Sequence, residues 1–238
     1  MRIGLFDSGT GGLTVLKAFL DNHPENEYIY YGDTLNLPYG EKTIDELHSF
    51  AKKIISFLIS KNVDIIVIAC GTISANLYDV LKQEFDIPIY SVISEIPEYI
   101  EKHNYKNTLV LATSATINSH IYKRLIKTNV IEVACPKLVP IIESNDYSRL
   151  EEALDLYLES KDVIDSIILG CTHYPIIRKE IESKINNVDI IDIGEVLANK
   201  IDIKDSFYSI ELYFTKDIDS IPNNVKKVFK KDIKYTII

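Results

Sequence analysis

The segments VDIIVIAC at residues 63–70 and VIDSIILGC at residues 163–171 decide the architecture. Each runs through a stretch, IIVI or SIIL, that shows no alternation between an apolar and a polar side. A strand of that kind is covered on both faces, as strands are inside a parallel sheet flanked by helices. Each segment ends on a cysteine, Cys70 or Cys171, and a helix-period run follows. Aligning the two cysteines brings Asp64 onto Asp165, because 171 − 70 and 165 − 64 are both 101. The next apolar runs, IPIYSV at 87–92 and VDIIDI at 188–193, keep that offset. The opening runs, IGLFDSG at 3–9 and LVLATSA at 109–115, pair at an offset of 106. Three strands recurring in the same order point to two related α/β halves.

Working outward, short β-rich runs alternate with longer polar ones. Strands are predicted at Arg2–Phe6, Glu27–Gly32, Asp64–Ala69, Pro88–Val92, Thr108–Ala112, Val130–Ala134, Ser166–Gly170 and Asp189–Asp192. Helices are predicted at Leu13–Asn22, Ile44–Ser60, Ile73–Glu84, Glu95–His103, Asn118–Lys127, Ser148–Leu158 and Tyr174–Lys184. The βαβα order implies an α/β protein. The tail, 206–238, contains two further strand-like runs, IELYFT and KYTII, and is too short to stand alone. It is expected to return to the first sheet. The expected units are therefore 1–92 together with 206–238, and 93–205.

Composition narrows the function classes. The chain has 238 residues, 46% of them hydrophobic, enough to bury a real core. The formal net charge of −9 disfavours nucleic acid and anionic membrane surfaces as partners, since phosphate contacts need cations. The only arginines are Arg2, Arg124, Arg149 and Arg178, so an anionic substrate is expected to be held by backbone N–H groups and hydroxyls. Three widely spaced cysteines, with no CxxC, make neither a disulfide framework nor a zinc site. The histidines lack metal-ligand spacing, so no metal is expected. The start, MRIGLFDSG, is not a signal peptide, and no run reaches the roughly 18 apolar residues of a membrane span. A cytoplasmic protein with free thiols is expected.

In open α/β sheets, ligands bind at the carboxyl ends of strands. Asp7-Ser8-Gly9-Thr10-Gly11-Gly12, Cys70-Gly71-Thr72, Thr113–Thr116 and Cys171-Thr172-His173 all fall there, and Asn36–Gly40 forms a loop after the second strand. Cys70 and Cys171 each precede a segment read as opening a helix, whose N-terminus stabilises a thiolate. Two thiols at matching positions of related halves suit inversion at a carbon: one removes a proton from one face, the other returns a proton to the opposite face. The carbanion would be stabilised by preorganised hydrogen bonds in a dry site, since no lysine lies in these segments. DSGTGG is either a tight strand–helix turn or an anion cradle, and it matches neither phosphate-loop pattern. Asp7 either caps its loop, holds a substrate ammonium or orients a thiol. His173 is either a satisfied structural histidine or a proton carrier beside Cys171. Cys135, without a counterpart in the repeat, is read as a packing residue.

Taken together, GLFDSGTGGLTV (4–15), GDTLNLPYG (32–40), ACGTISAN (69–76), ATSATINSHIY (112–122), ACPKLVPIIE (134–143) and LGCTHYPII (169–177) resemble the glutamate racemases of the aspartate/glutamate racemase superfamily. The resemblance runs in order from residue 3 to about 200. It implies two flavodoxin-like α/β domains related by a pseudo-twofold, with the active site in the cleft between them. It also implies cofactor-independent interconversion of L- and D-glutamate, with D-glutamate going to peptidoglycan, and a homodimer. Cys70 and Cys171 match the family's acid/base cysteines, and Asp7 and His173 its assisting residues. Ser8, Tyr39, Gly40, Thr72, Thr172 and His173 match its substrate-binding positions, and Thr116 and Glu143 match secondary ones. Many members read Cys-Asn-Thr where this chain has Cys70-Gly71-Thr72, so Gly71 stands where a substrate-facing side chain is usual. Aspartate racemase remains an alternative, because side chains one methylene apart are discriminated weakly. A catalytically impaired amino-acid-binding protein on the same fold is the other.

Overall fold

The computed structural model describes residues 1–159, 163–203 and 207–238. The first half runs β1 (Arg2–Asp7), α1 (Leu13–Asn22), β2 (Glu27–Gly32), α2 (Ile44–Ser60), β3 (Ile65–Ile68), α3 (Gly71–Glu84), β4 (Ile89–Ser91) and α4 (Ile96–His103). The second runs β5 (Asn107–Ala112), α5 (Ser114–Asn118), α6 (Ile121–Leu125), β6 (Asn129–Ala134), α7 (Leu138–Ser144), α8 (Leu150–Leu158), β7 (Ser166–Leu169), α9 (Arg178–Glu182), β8 (Asp189–Asp192) and α10 (Ile193–Lys200). The tail supplies β9 (Ser209–Phe214), α11 (Ser220–Phe229) and β10 (Tyr235–Ile237).

Two parallel sheets result, ordered β10-β9-β2-β1-β3-β4 and β6-β5-β7-β8. The shared order, with the first strand of each half between its second and third, is the repeat seen in the sequence. The paired aspartates do the same work in each half. Asp64 accepts the Arg2 N–H at 2.7 Å, and Asp165 accepts those of Lys106 and Asn107 at 2.6 and 3.1 Å. Each thereby fixes the start of its central strand. The opening strands differ from the expected alignment by one residue. The Ala69 N–H donates to the Phe6 carbonyl and the Gly170 N–H to the Leu111 carbonyl, an offset of 111 − 6 = 105. Uniformly apolar strands match equally well in either register, and only the ladder hydrogen bonds choose between them.

The chain leaves the first sheet after Ser91 and enters the second at Asn107, with α4 between them. The return expected near residue 206 lies outside the described residues; β9 then joins β2, and β10 joins β9. Several helices differ from expectation. The helix expected over Asn118–Lys127 is two short ones, α5 and α6, broken where His120 takes the left-handed conformation (φ 52°). The one expected over Tyr174–Lys184 begins as a 3-10 turn, Tyr174–Ile177, before α9. Helices α7, α10 and α11 lie in segments read as connections or strands. Among the described residues, no helix is long and apolar enough to cross a membrane.

One apolar cluster joins the two sheets. It includes Leu13, Val15 and Leu16 of α1, Val110 and Ile168 of the second sheet, and Ile193, Val196 and Leu197 of α10. Separate clusters cover the outer faces, under α2 and α3 in one half and under α7 and α8 in the other. The tail is anchored by Phe214, which is fully buried, lies 5.8 Å from the Tyr30 ring and 5.7 Å from Tyr235, and packs where a side chain at Gly32 would stand. Phe214→Ala is expected to cost about 3–5 kcal/mol of stability, the usual range for emptying a buried phenylalanine site. Urea unfolding of the variant against the parent measures it.

Candidate active site

The carboxyl ends of β1, β3, β5 and β7 converge on one cavity. Asp7 and Ser8 reach it from β1, Cys70, Gly71 and Thr72 from β3, and Cys171, Thr172 and His173 from β7. Tyr39 and Gly40 close one side from a 3-10 turn, and Thr113 and Ser114 enter after β5. Among the described residues, no lysine or arginine lines the cavity. Among the described residues, no cluster of histidine, cysteine, aspartate or glutamate is arranged to hold a metal ion.

The two thiols sit in different surroundings. Cys70 is the residue before α3, and the backbone N–H groups of Ile73 and Thr72 at the start of that helix act to lower its pKa. Burial nonetheless pushes the Cys70 thiol up, and the negative charge of Asp7 adds to that. Its resting form is the protonated thiol. Cys171 opens no α-helix, contrary to the sequence expectation. Its sulfur instead lies 3.7 Å from His173 Nδ1. The other ring nitrogen, Nε2, donates to Glu143 Oε1 at 2.6 Å. Burial alone would lower the basicity of His173, but the hydrogen bonds to Cys171 and Glu143 outweigh it and raise its pKa well above the usual histidine value. Glu143 is opposed by its own burial, yet the contacts from His173, Ser220 and Thr10 draw its carboxyl down to about 2. An imidazolium thus stands between the Glu143 carboxylate and the Cys171 sulfur.

Asp7 is fully buried, and its carboxylate ties the glycine-rich loop: Oδ2 accepts the N–H of Gly12 at 2.9 Å and of Gly9 at 3.2 Å. Its Oδ1 accepts from the Thr172 hydroxyl at 3.4 Å, reaching the other half beside Cys171. Tyr39 offers its ring to the cavity, while its hydroxyl donates to Asp33 at 2.6 Å. Thr116 does not line the cavity; it reaches it through the Thr113 hydroxyl at 3.0 Å, which in turn meets Thr72 at 3.0 Å. Glu143 likewise stands behind His173 and off the cavity wall. Cys135, read as packing, is buried and yet borders the cavity as well. Ser220 and Asn224 of α11 reach the same network, and nothing in the local sequence around them signals it.

The match to known proteins covers this arrangement. The Asp/Glu/Hydantoin racemase model matches residues 14–201. The chain belongs to that family. Membership makes it an isomerase, an amino-acid racemase. The glutamate racemase of Aquifex aeolicus is 35% identical over 246 residues, which span 98% of this chain and 96% of that protein. A glutamate racemase isoform of Bacillus anthracis superposes with a TM-score of 0.91 at 27% identity, covering 100% of this chain and 97% of that one. Glutamate racemase from Francisella tularensis, solved in complex with D-glutamate, gives 0.88 at 31% identity with the same coverage, 100% and 97%.

Gly71, the departure from the racemase pattern, has a steric cause here. A Cβ at residue 71 would stand 2.6 Å from the carbonyl oxygen of Gly170, backbone of the opposing half. Any side chain there forces the ends of β3 and β7 apart. Gly71→Ala and Gly71→Asn are both expected to lower kcat/KM or stability by roughly 1–3 kcal/mol, the usual cost of overpacking, although the second restores a residue common in the family. Steady-state racemisation rates and thermal melts of both variants check this.

The Glu143–His173 pair also sets a pH dependence. Glu143, lowered from 4.5 to about 2, contributes stability that is fully present above 4.5 and is lost as pH falls toward 2. His173, raised above 6.5, contributes stability that is full below 6.5 and is lost as pH rises through its folded value. Glu143→Gln should flatten both limbs in a plot of unfolding free energy against pH; unchanged limbs would show that the pair is not coupled as described.

Proposed function

We propose that this racemase interconverts L- and D-glutamate by a two-cysteine mechanism. One of Cys70 and Cys171, as thiolate, takes the α-proton from one face of the substrate, and the other, as thiol, gives a proton to the opposite face. The S–H bond formed on one side and the S–H bond broken on the other balance the step. The enzyme is left with its thiol and thiolate exchanged, ready for the opposite enantiomer. The observation that carries this reading is the convergence of both sulfurs, from opposed halves, on one cavity in unlike surroundings. For the Cys171 thiolate the charge balance is supplied by His173 and Glu143; for Cys70 it comes from the first N–H groups of α3.

The substrate carboxylate is to be held without cations. The hydroxyls of Ser8, Thr72, Thr113 and Thr172 and the N–H groups around Gly40 and Gly71 are the donors available at the cavity. The carbanion formed at the α-carbon is stabilised by those fixed donors in a site that excludes water. Among the described residues no lysine is at hand there for a Schiff base, and the proposed chemistry needs no cofactor. Glutamate is favoured by the relatives at 35–37% identity, all of them glutamate racemases. A supply of D-glutamate for peptidoglycan is the corresponding role in the cell. We place the two units of this function at 1–92 with 206–238, and at 93–205.

Incubation with L-glutamate in D2O, without added cofactor, is expected to introduce deuterium at the α-carbon as optical rotation decays to zero. Cys70→Ala and Cys171→Ala should each abolish racemisation. Turnover of aspartate alone would correct the substrate, ligand binding without exchange would mean an impaired binding protein, and full activity in either cysteine variant would remove the two-thiol mechanism.

A further inference from the structure

The repeat accounts for both thiols but not for everything that touches them. Helix α11 lies in the tail, outside either repeat, and two of its buried polar side chains reach the Cys171 side of the site. Ser220 donates to Glu143 Oε2, and among the described residues that oxygen has no other hydrogen-bond partner. Asn224 donates to the Thr10 hydroxyl at 2.7 Å. A hydroxyl that accepts there must direct its own proton elsewhere, and the Thr10 hydroxyl lies 2.8 Å from Glu143 Oε1. The same Oε1 takes His173 at 2.6 Å. Cys70 instead sits at the N-terminus of its own helix, and among the described residues no side chain hydrogen-bonds its sulfur.

We infer that Ser220 and Asn224 are positioning residues for the Cys171 half of the reaction, holding Glu143 so that it orients the His173 ring against the Cys171 sulfur. The inference rests on the two-thiol reading and extends it to a part of the chain that carries no acid or base of its own in the site. Among the described residues, the ionisable groups facing the pair are Cys171 at the ring's Nδ1 and Tyr30 from β2, while Asp7 lies nearby, bonded to the Thr172 hydroxyl beside His173. On α11 itself, Asp219 is exposed and Lys227 turns away to Asn145 and Tyr147. Among the described residues, the seryl hydroxyl is therefore the tail's one direct link to the carboxylate.

The two enantiomers have equal free energy, so kcat/KM stays equal in both directions in any variant. The effect of α11 must appear instead in which proton transfer limits the rate. In Ser220→Ala the carboxylate loses the contact that holds it in line with the ring, and its hydrogen bond to His173 loosens. His173 is then expected to titrate at lower pH in the resting protein, as followed by NMR of its ring. kcat should fall about tenfold with KM within about twofold, the scale of one lost hydrogen bond to a charged group. With α-deuterated substrates, the isotope effect should rise for the enantiomer whose proton Cys171 removes and fall for the other. Asn224→Ala should act in the same sense but less, and Ser220→Thr, which keeps the hydroxyl, should restore the parent behaviour.

A folded Ser220→Ala protein with unmoved His173 titration, or isotope effects that rise equally for both enantiomers, would overturn the inference. If Asn224→Ala does not fold, Ser220→Ala decides, because alanine suits the first turn of a helix. Failure of the two-thiol mechanism shows itself separately, as activity in Cys70→Ala or Cys171→Ala, while the His173 titration reports on α11 in either case.

Discussion

The packing of α1 against α10 is the constraint on which the rest depends. Val15 on one helix meets Gly194 on the other so closely that a side chain at residue 194 would stand 3.0 Å from the valine methyl. Around that contact, apolar side chains from both sheets form one cluster. Parallel sheets expose their carboxyl ends in one direction, and this shared core turns the two sets of ends toward each other. Without it, Cys70 and Cys171 would each end a buried strand with nothing opposite. A core between the halves is thus a condition for a site between them, and part of the hydrophobic stabilisation goes into alignment.

Symmetry gives the site two thiols, and departures from symmetry make them different. The segment after Cys70 is a full helix that begins at once, so its sulfur lies at a helix N-terminus. The segment after Cys171 turns through a 3-10 bend at Tyr174-Pro175, and the side chain of His173 takes the place of a helix N-terminus. One thiol rests protonated by burial, and the other faces an imidazolium. Unequal surroundings on an equal framework fit a reaction whose two steps are mirror images.

The cleft is also narrow for a stated reason. Gly71 and Gly170 bring backbone within the distance that a single Cβ would occupy, and Gly11 leaves room for the His173 ring, where a Cβ would lie 2.3 Å from Nδ1. Close approach replaces side-chain donors with backbone and hydroxyl donors, which suits an acidic chain whose described residues bring no lysine or arginine to the cavity.

The repeat, the parallel α/β class, the strand-end loops and the two cysteines are determined by the sequence alone. They rest on local pattern: apolar runs without alternation, glycine-rich turns, and a thiol at the same offset in each half. The family resemblance adds Glu143 and Thr116, which spacing does not reveal. What only the tertiary structure decided has non-local causes. The opening strands' register comes from ladder hydrogen bonds that apolar composition does not encode. Cys135 borders the cavity because α7, unrecognised in ACPKLVPIIE, turns the chain back toward it. Ser220 and Asn224 join the site across 77 and 214 residues of chain, from a helix whose apolar positions Ile221, Val225 and Phe229 show how it packs but not what its polar side touches. Periodicity tells which side of an element is buried; which groups meet there depends on how the elements are assembled.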